Sequence, residues 1–291
     1  MWGLKSWVGQ FFPAGTKQKD FLATYSRRFN TVEGNTTFYA LPSVANVEHW
    51  RDETPPGFRF CFKVPQTITH HKRLVNAEAE TESLVDRLRR LQDRCGATLL
   101  QLPPTFTARS MPVLQAYLEA WPHDLPLAVE PRHIDFFRGE GEKALADLLG
   151  KLNIAKCEFD TRGLRSAAGS EFESAESKEA QLRKPNFPPQ FARTASFAFV
   201  RFCGHPQLER NTPWLAEWAE HVAAWLRAGN DVYFFTHHTN DTFAPNAGHM
   251  FHELVSARVP LPPLPDWDGV DSDRDADGDA DSALPMQPTL F

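Results

Sequence analysis

Residues 196–237 read SFAFVRFCGHPQLERNTPWLAEWAEHVAAWLRAGNDVYFFTH, and this stretch decides the fold. It opens with SFAFVRF (196–202) and closes with DVYFFTH (231–237), two short apolar runs rich in β-favouring Phe, Val and Tyr. Between them, residues 213–228 place Leu215, Trp218, Val222 and Leu226 at the spacing of one helix face, and Gly229 follows as a stop. The unit is therefore strand, helix, strand.

The same rhythm runs from residue 30 to about residue 258. The spacing predicts strands at 30–35, 58–64, 97–102, 127–130, 155–160, 196–202 and 231–237. It predicts helices at 17–29, 43–53, 78–94, 109–121, 141–152, 213–228 and 246–257, with Ser43 and Ser110 as capping residues. Seven strands separated by helix-length segments predict a TIM-like (β/α)8 barrel, with a doubly wound open sheet as the rival. The 163–189 segment is long for a βα loop and holds the charged run ESAESKEAQLRK, which reads as a solvated surface helix or as a lid over the barrel mouth.

Composition narrows the class. The chain has 291 residues, 42% of them hydrophobic, enough to bury a large core. No run approaches the length of a membrane span and the first residues lack a secretory signal, so the chain reads as cytoplasmic. Cys61, Cys95, Cys157 and Cys203 have no C-x-x-C spacing, which argues against a disulfide framework or a structural zinc site. Residues 266–291 carry eight Asp against one Arg and so hold −7 of charge; with the whole chain at −6, the rest carries about +1.

In such a barrel the C-terminal strand ends form the active face, and alternate residues point inward. Alternation sends Val32, Phe62, Val129 and Phe159 toward the helices. The inward set is then Glu33, Lys63, Gln101, Glu130, Asp160, Arg201 and His237, with Arg132, His133 and Arg162 just beyond. Arginines and a lysine suit an anionic substrate such as a phosphate ester, while Glu33, Lys63, Glu130, Asp160 and His237 are the candidates for catalysis. The same charges are compatible with a ring of buried ion pairs. Glu33, Glu130, Asp160 and His237 could hold a divalent metal, although no close spacing specifies one, and no other cofactor is indicated. No G-x-S-x-G, Walker or G-x-G-x-x-G motif is present. Cys203, near Arg201 and His205 in RFCGH, is better read as a buried thiol than as a nucleophile.

The stretches FNTVEGNTTFYALPS, FRFCFKVPQTITH, LLQLPPTF, AVEPRH and FVRFCGH, in this order, resemble the YecE-like family grouped as domain of unknown function 72, across residues 3–258. The resemblance implies a TIM-type barrel and brings no reaction with it. It adds Asn35, Thr37, Tyr39, His70 and Gly204 to the motif positions; together with the strand-end reading, this makes Asn35, Tyr39, His70, Gln101, Arg132, His133, Arg162 and Arg201 the substrate-binding candidates. It also implies a first strand ending near Met1 to Gly3, so that strand is expected to be truncated. At fold level the barrel type is similar to metal-dependent endonucleases and sugar isomerases.

The barrel is assigned to residues 1–265, an acidic disordered linker to 266–286 and a docking peptide to 287–291. DSDRDADGDAD (271–281) opens like a calcium loop at Asp273, Asp275, Asp277 and Gly278, but Leu284 stands where the twelfth-position Glu is required. A self-repelling tether is the better reading. Gln287, Leu290 and Phe291 match the Gln-x-x-Leu-Phe peptide that binds the bacterial DNA sliding clamp, unless Leu290 and Phe291 fold back on the barrel. Three functions are expected from these features: an enzyme for a phosphate-containing or nucleic-acid substrate recruited by the clamp, a non-catalytic adaptor holding a small anion, or a metal-dependent phosphodiesterase.

Overall fold

The computed structural model describes residues 2–239, 241–265 and 267. Gln287, Leu290, Phe291 and, apart from Trp267, the stretch read as a linker lie outside the described residues. Trp267 packs edge-on against Phe11 at 5.1 Å between ring centroids, so the folded body reaches past the boundary expected at 265.

Seven strands occur among the described residues: β1 (Thr31–Gly34), β2 (Arg59–Phe62), β3 (Thr98–Gln101), β4 (Leu127–Glu130), β5 (Ala155–Asp160), β6 (Phe197–Cys203) and β7 (Asp231–His237). The helices are α1 (Phe21–Ser26), α2 (Thr36–Tyr39), α3 (Val44–Glu53), α4 (Glu78–Arg90), α5 (Met111–Glu119), α6 (Gly139–Lys151), α7 (Arg162–Ser166), α8 (Ala175–Arg183), α9 (Thr212–Arg227) and α10 (Ala244–Ser256). Strands β3 to β7 pair in parallel in sequence order, β1 pairs with β2, and single bridges Phe60–Cys95 and Lys63–Leu99 join β2 to β3. The result is a curled parallel sheet wrapped by helices.

The sheet does not close as an eight-stranded barrel. Among the described residues β1 and β7 are not paired with each other. A cavity of about 1080 Å³ follows this seam, from Glu33, Asn35 and His237 at the mouth to Arg59 and Asp231 at the far end.

Alternation along the strands makes two apolar layers. Outside the sheet, Phe60, Phe62, Leu100 and Val129 pack on Leu84, Leu88, Leu114 and Leu145, and Val200, Phe202 and Phe234 pack on Trp218, Val222 and Phe251. Inside it, Phe197, Phe199, Tyr233 and Phe235 of β6 and β7 face a floor of Cys61, Ala97, Ala128, Ala155 and Cys157. Large rings on one side fill the volume that small side chains leave on the other, as close packing demands. Each large ring withdrawn from water contributes roughly 1.5–3 kcal/mol.

Local signals fix the helix ends. The Ser43 hydroxyl accepts the Asn46 backbone N–H and starts α3. Gly229 adopts φ +83° after α9, a left-handed conformation that glycine enters without penalty. Ser110 precedes α5 but makes no side-chain cap. Within the 163–189 segment the charged run forms the largely exposed surface helix α8, tied at its end by Arg165, which holds the carbonyls of Gln181 and Lys184, and by Thr161, which holds that of Pro185.

Candidate functional site at the barrel mouth

Six of the seven strands send a polar side chain to the mouth. Arg201, from β6, is the hub: its Nε and Nη2 donate to Glu33 on β1 at 2.6 and 3.0 Å, and its Nη1 donates to Glu130 on β4 at 2.7 Å. Arg132 Nε donates to the other oxygen of Glu130, and Arg132 Nη2 reaches Gln101 on β3 at 3.2 Å. Lys63 on β2 sits 3.4 Å from Glu33 and 3.5 Å from Gln101, longer contacts than those of the guanidinium groups. His237 on β7 completes the ring, with Nε2 3.3 Å from Glu33.

These groups are withdrawn from water, with Glu130 at 0% and Lys63 at 8% exposure. Burial pushes the Glu33 carboxyl up, but Arg201, Lys63 and His237 outweigh it and hold the group well below the usual carboxylate range. Burial likewise opposes ionisation of Glu130, and Arg132, Arg201 and Lys63 bring it down to about 2. Burial, joined by the charge of Arg201, lowers His237 against the pull of Glu33, so its imidazole is neutral at neutral pH. Three cationic side chains thus face two carboxylates and a neutral imidazole. One positive charge is left uncompensated.

β5 contributes an aromatic residue instead of a charge. Phe159 is in register with Arg201, so both project to the same side, and its ring lies 4.7 Å from the Arg201 guanidinium and 4.8 Å from that of Arg132. This reverses the expectation that Phe159 faces the helices and Asp160 the mouth. Asp160 turns outward, accepting the Trp218 indole N–H at 2.8 Å and the Arg162 guanidinium at 2.8 Å, while Arg162 also pairs with Glu217 on α9 at 2.7 Å. Asp160 and Arg162 are therefore strand-to-helix ties.

The other expected site residues divide by position. Asn35, Tyr39 and His70 lie around the rim, with Asn35 Oδ1 buried without a hydrogen-bond partner and His70 edge-on to Phe38. Thr37 supports the site by donating to the Lys63 carbonyl at 2.7 Å. His133 serves its own loop, accepting the Asp135 backbone N–H at 3.2 Å. Cys203 is buried, 3.1 Å from the Lys184 ammonium. Sequence reasoning missed Phe38 and Phe159; the facing arginines were the one available signal for Phe159.

The loop after β6 is built on Asn211, whose Oδ1 accepts the His205 backbone N–H at 2.6 Å while its amide donates to the His205 and Leu208 carbonyls. A Cβ at Gly204 would meet Asn211 Oδ1 at 2.8 Å, and one at Gly163 would meet His205 N at 2.8 Å. Both positions require glycine for this close approach.

No group of three or more His, Cys, Asp or Glu side chains among the described residues is arranged to hold a metal ion. Asp160 leaves the ligand set expected from sequence, and the carboxylates of Glu33 and Glu130 are engaged by guanidinium groups. No helix among the described residues is long and apolar enough to cross a membrane.

Fold and mouth together define a TIM-like α/β protein with a buried, charged constellation at its strand ends. The chain belongs to the family described as protein of unknown function DUF72, whose family model matches residues 1–268. It is 34% identical over 240 residues to UPF0759 protein YecE of Escherichia coli K12, covering 82% of this chain and 87% of that protein. It is 31% identical over 146 residues to UPF0759 protein YunF of Bacillus subtilis, covering 46% and 51%. Among solved structures, the DUF72 family protein TM1631 of Thermotoga maritima superposes with a TM-score of 0.65 at 22% identity, over 88% of this chain and 96% of that one. EF0366 of Enterococcus faecalis superposes with a TM-score of 0.63 at 16% identity, over 86% and 93%. These likenesses carry the fold.

Proposed function

We propose that the barrel mouth binds a phosphate-containing substrate and moves a proton on it. The observation that carries this reading is the uncompensated positive charge among Glu33, Lys63, Glu130, Arg132 and Arg201. Lys63, with the longest contacts of the cluster, supplies the anion contact, and Arg132 adds its Nη1, since Nε and Nη2 are already engaged. Arg201 is engaged through all three of its nitrogens by two carboxylates and positions them. His237, neutral and held through Nε2 by Glu33, presents Nδ1 as a general base. Calorimetric titration of the full chain with inorganic phosphate and phosphate monoesters tests the site. Saturable binding that Lys63→Met weakens at least tenfold is expected, and no binding by the wild-type protein refutes the proposal. Binding without turnover of any ester would leave the adaptor reading.

A second reading rests on Gln287, Leu290 and Phe291, which supply a directional amide and two apolar anchors to the bacterial sliding clamp, with the aspartates as spacer. Recruitment to DNA by this peptide is tested by clamp capture of the full chain. Capture that Leu290→Ala with Phe291→Ala abolishes supports it, and equal recovery of both proteins eliminates it.

A further inference from the structure

The mouth has a second chemical character above the charged floor. Among the described residues the exposed large apolar side chains are Tyr39, Val75, Leu182 and Phe243, at 73%, 48%, 88% and 42% exposure. Tyr39, Val75 and Phe243 follow the C-terminal ends of β1, β2 and β7, while Leu182 lies on α8. Apolar surface gathered at one end of a barrel marks a contact face. From Tyr39 an aromatic stair leads inward: Tyr39 meets Phe38 edge-on at 5.2 Å, Phe38 meets His70 at 5.2 Å, and the Phe38 ring lies 6.0 Å from Lys63 Nζ. The step runs from solvent to the cation.

We infer that the ligand of this mouth is a nucleotide, its base laid against the exposed Tyr39 ring beside Phe38 and its phosphate held by Lys63 and Arg132. The inference rests on the phosphate site proposed above and adds the chemistry of the rest of the ligand. A sugar phosphate would find few polar partners on this stair, and a lipid chain would leave its rings without a planar surface to stack on. A heterocyclic base can stack on the exposed Tyr39 ring, with Phe38, edge-on to it, leading on to the cation. The buried, unpartnered Asn35 Oδ1 at the cavity edge would gain a donor from a sugar hydroxyl or an exocyclic amine.

The test compares inorganic phosphate, ribose 5-phosphate, adenosine monophosphate and a short deoxythymidine oligonucleotide on the full chain and on Tyr39→Ala, an exposed substitution that leaves the fold intact. Adenosine monophosphate is expected to bind about tenfold tighter than ribose 5-phosphate, and Tyr39→Ala to remove that advantage while phosphate binding is unchanged. If only the oligonucleotide shows the Tyr39-dependent gain, the nucleotide unit is one within a single strand, which upholds the inference and identifies its source. Equal affinity for all four probes, unaffected by Tyr39→Ala, overturns the nucleotide assignment while leaving the phosphate site standing. Binding of none of them removes the phosphate site itself.

Discussion

Two strand ends in this barrel carry nearly the same text and do opposite things. Glu130-Pro131-Arg132 closes β4 and Asp160-Thr161-Arg162 closes β5, each a carboxylate followed two residues later by an arginine that pairs with it. The β4 pair points into the mouth, where Arg201 binds it to Glu33 on the far side of the barrel. The β5 pair points out and binds the strand to Trp218 and Glu217 of α9. One step of strand phase separates a candidate site from a structural tie. A carboxylate–arginine motif has no function until its parity is known.

The comparison can be broken first at its hub. Arg201→Met leaves Glu33 and Glu130 buried and facing each other with less compensation, and should destabilise the protein by about 3–5 kcal/mol in chemical denaturation. A loss under about 1 kcal/mol would mean that the inner pair is no more demanding than the outer one. Acid sharpens the same point. Glu130 has its folded pKa lowered from 4.5 to about 2, so the stability it contributes is present above 4.5 and is lost as pH falls through 2. Roughly 3 kcal/mol should disappear across that window, and a Glu130→Gln protein should show a flatter decline in melting temperature.

At the outer pair, Asp160→Asn removes the charge that Arg162 and Trp218 bind and should cost about 1–3 kcal/mol in stability, with phosphate affinity unchanged. A tenfold loss of affinity in that variant would return Asp160 to the site. The smallest effect is expected from Phe159→Leu, which removes the ring between two guanidinium groups at a cost of about 1 kcal/mol, read as a lower denaturation midpoint at constant m-value.

Much of the fold is legible in the text. The bounds expected for β4, β5 and β7 coincide with the strands, because β4 and β7 are short runs rich in apolar residues and β5 alternates apolar and charged residues strictly. What escaped is the parity of β5. Ala155, Cys157 and Phe159 alternate with Lys156, Glu158 and Asp160 along it, but all six residues are buried, so nothing local says which face is inner. Its phase is fixed by the register Phe159 to Arg201, a pairing with a strand some forty residues away. The charged cluster was visible as residue types at strand ends. The aromatic stair was not, because Phe38 and Tyr39 sit on the short helix α2, whose direction depends on how Thr37 anchors it to Lys63.

Arg201 also sets an order of assembly. Glu33 and Glu130 come from β1 and β4, yet the guanidinium that joins them lies 168 and 71 residues further along the chain. A polypeptide that has left the ribosome only as far as β5 has Lys63 and Arg132 to balance the two carboxylates in charge, but Glu33 and Glu130 still lack the three hydrogen bonds that Arg201 donates. Burying that intermediate early is costly, so collapse of the barrel interior is favoured only once β6 is available. The residue that completes the mouth thus acts as a folding checkpoint: chains that stop before residue 201 should stay expanded, exposed to proteases, and unable to trap a half-formed site inside a finished shell.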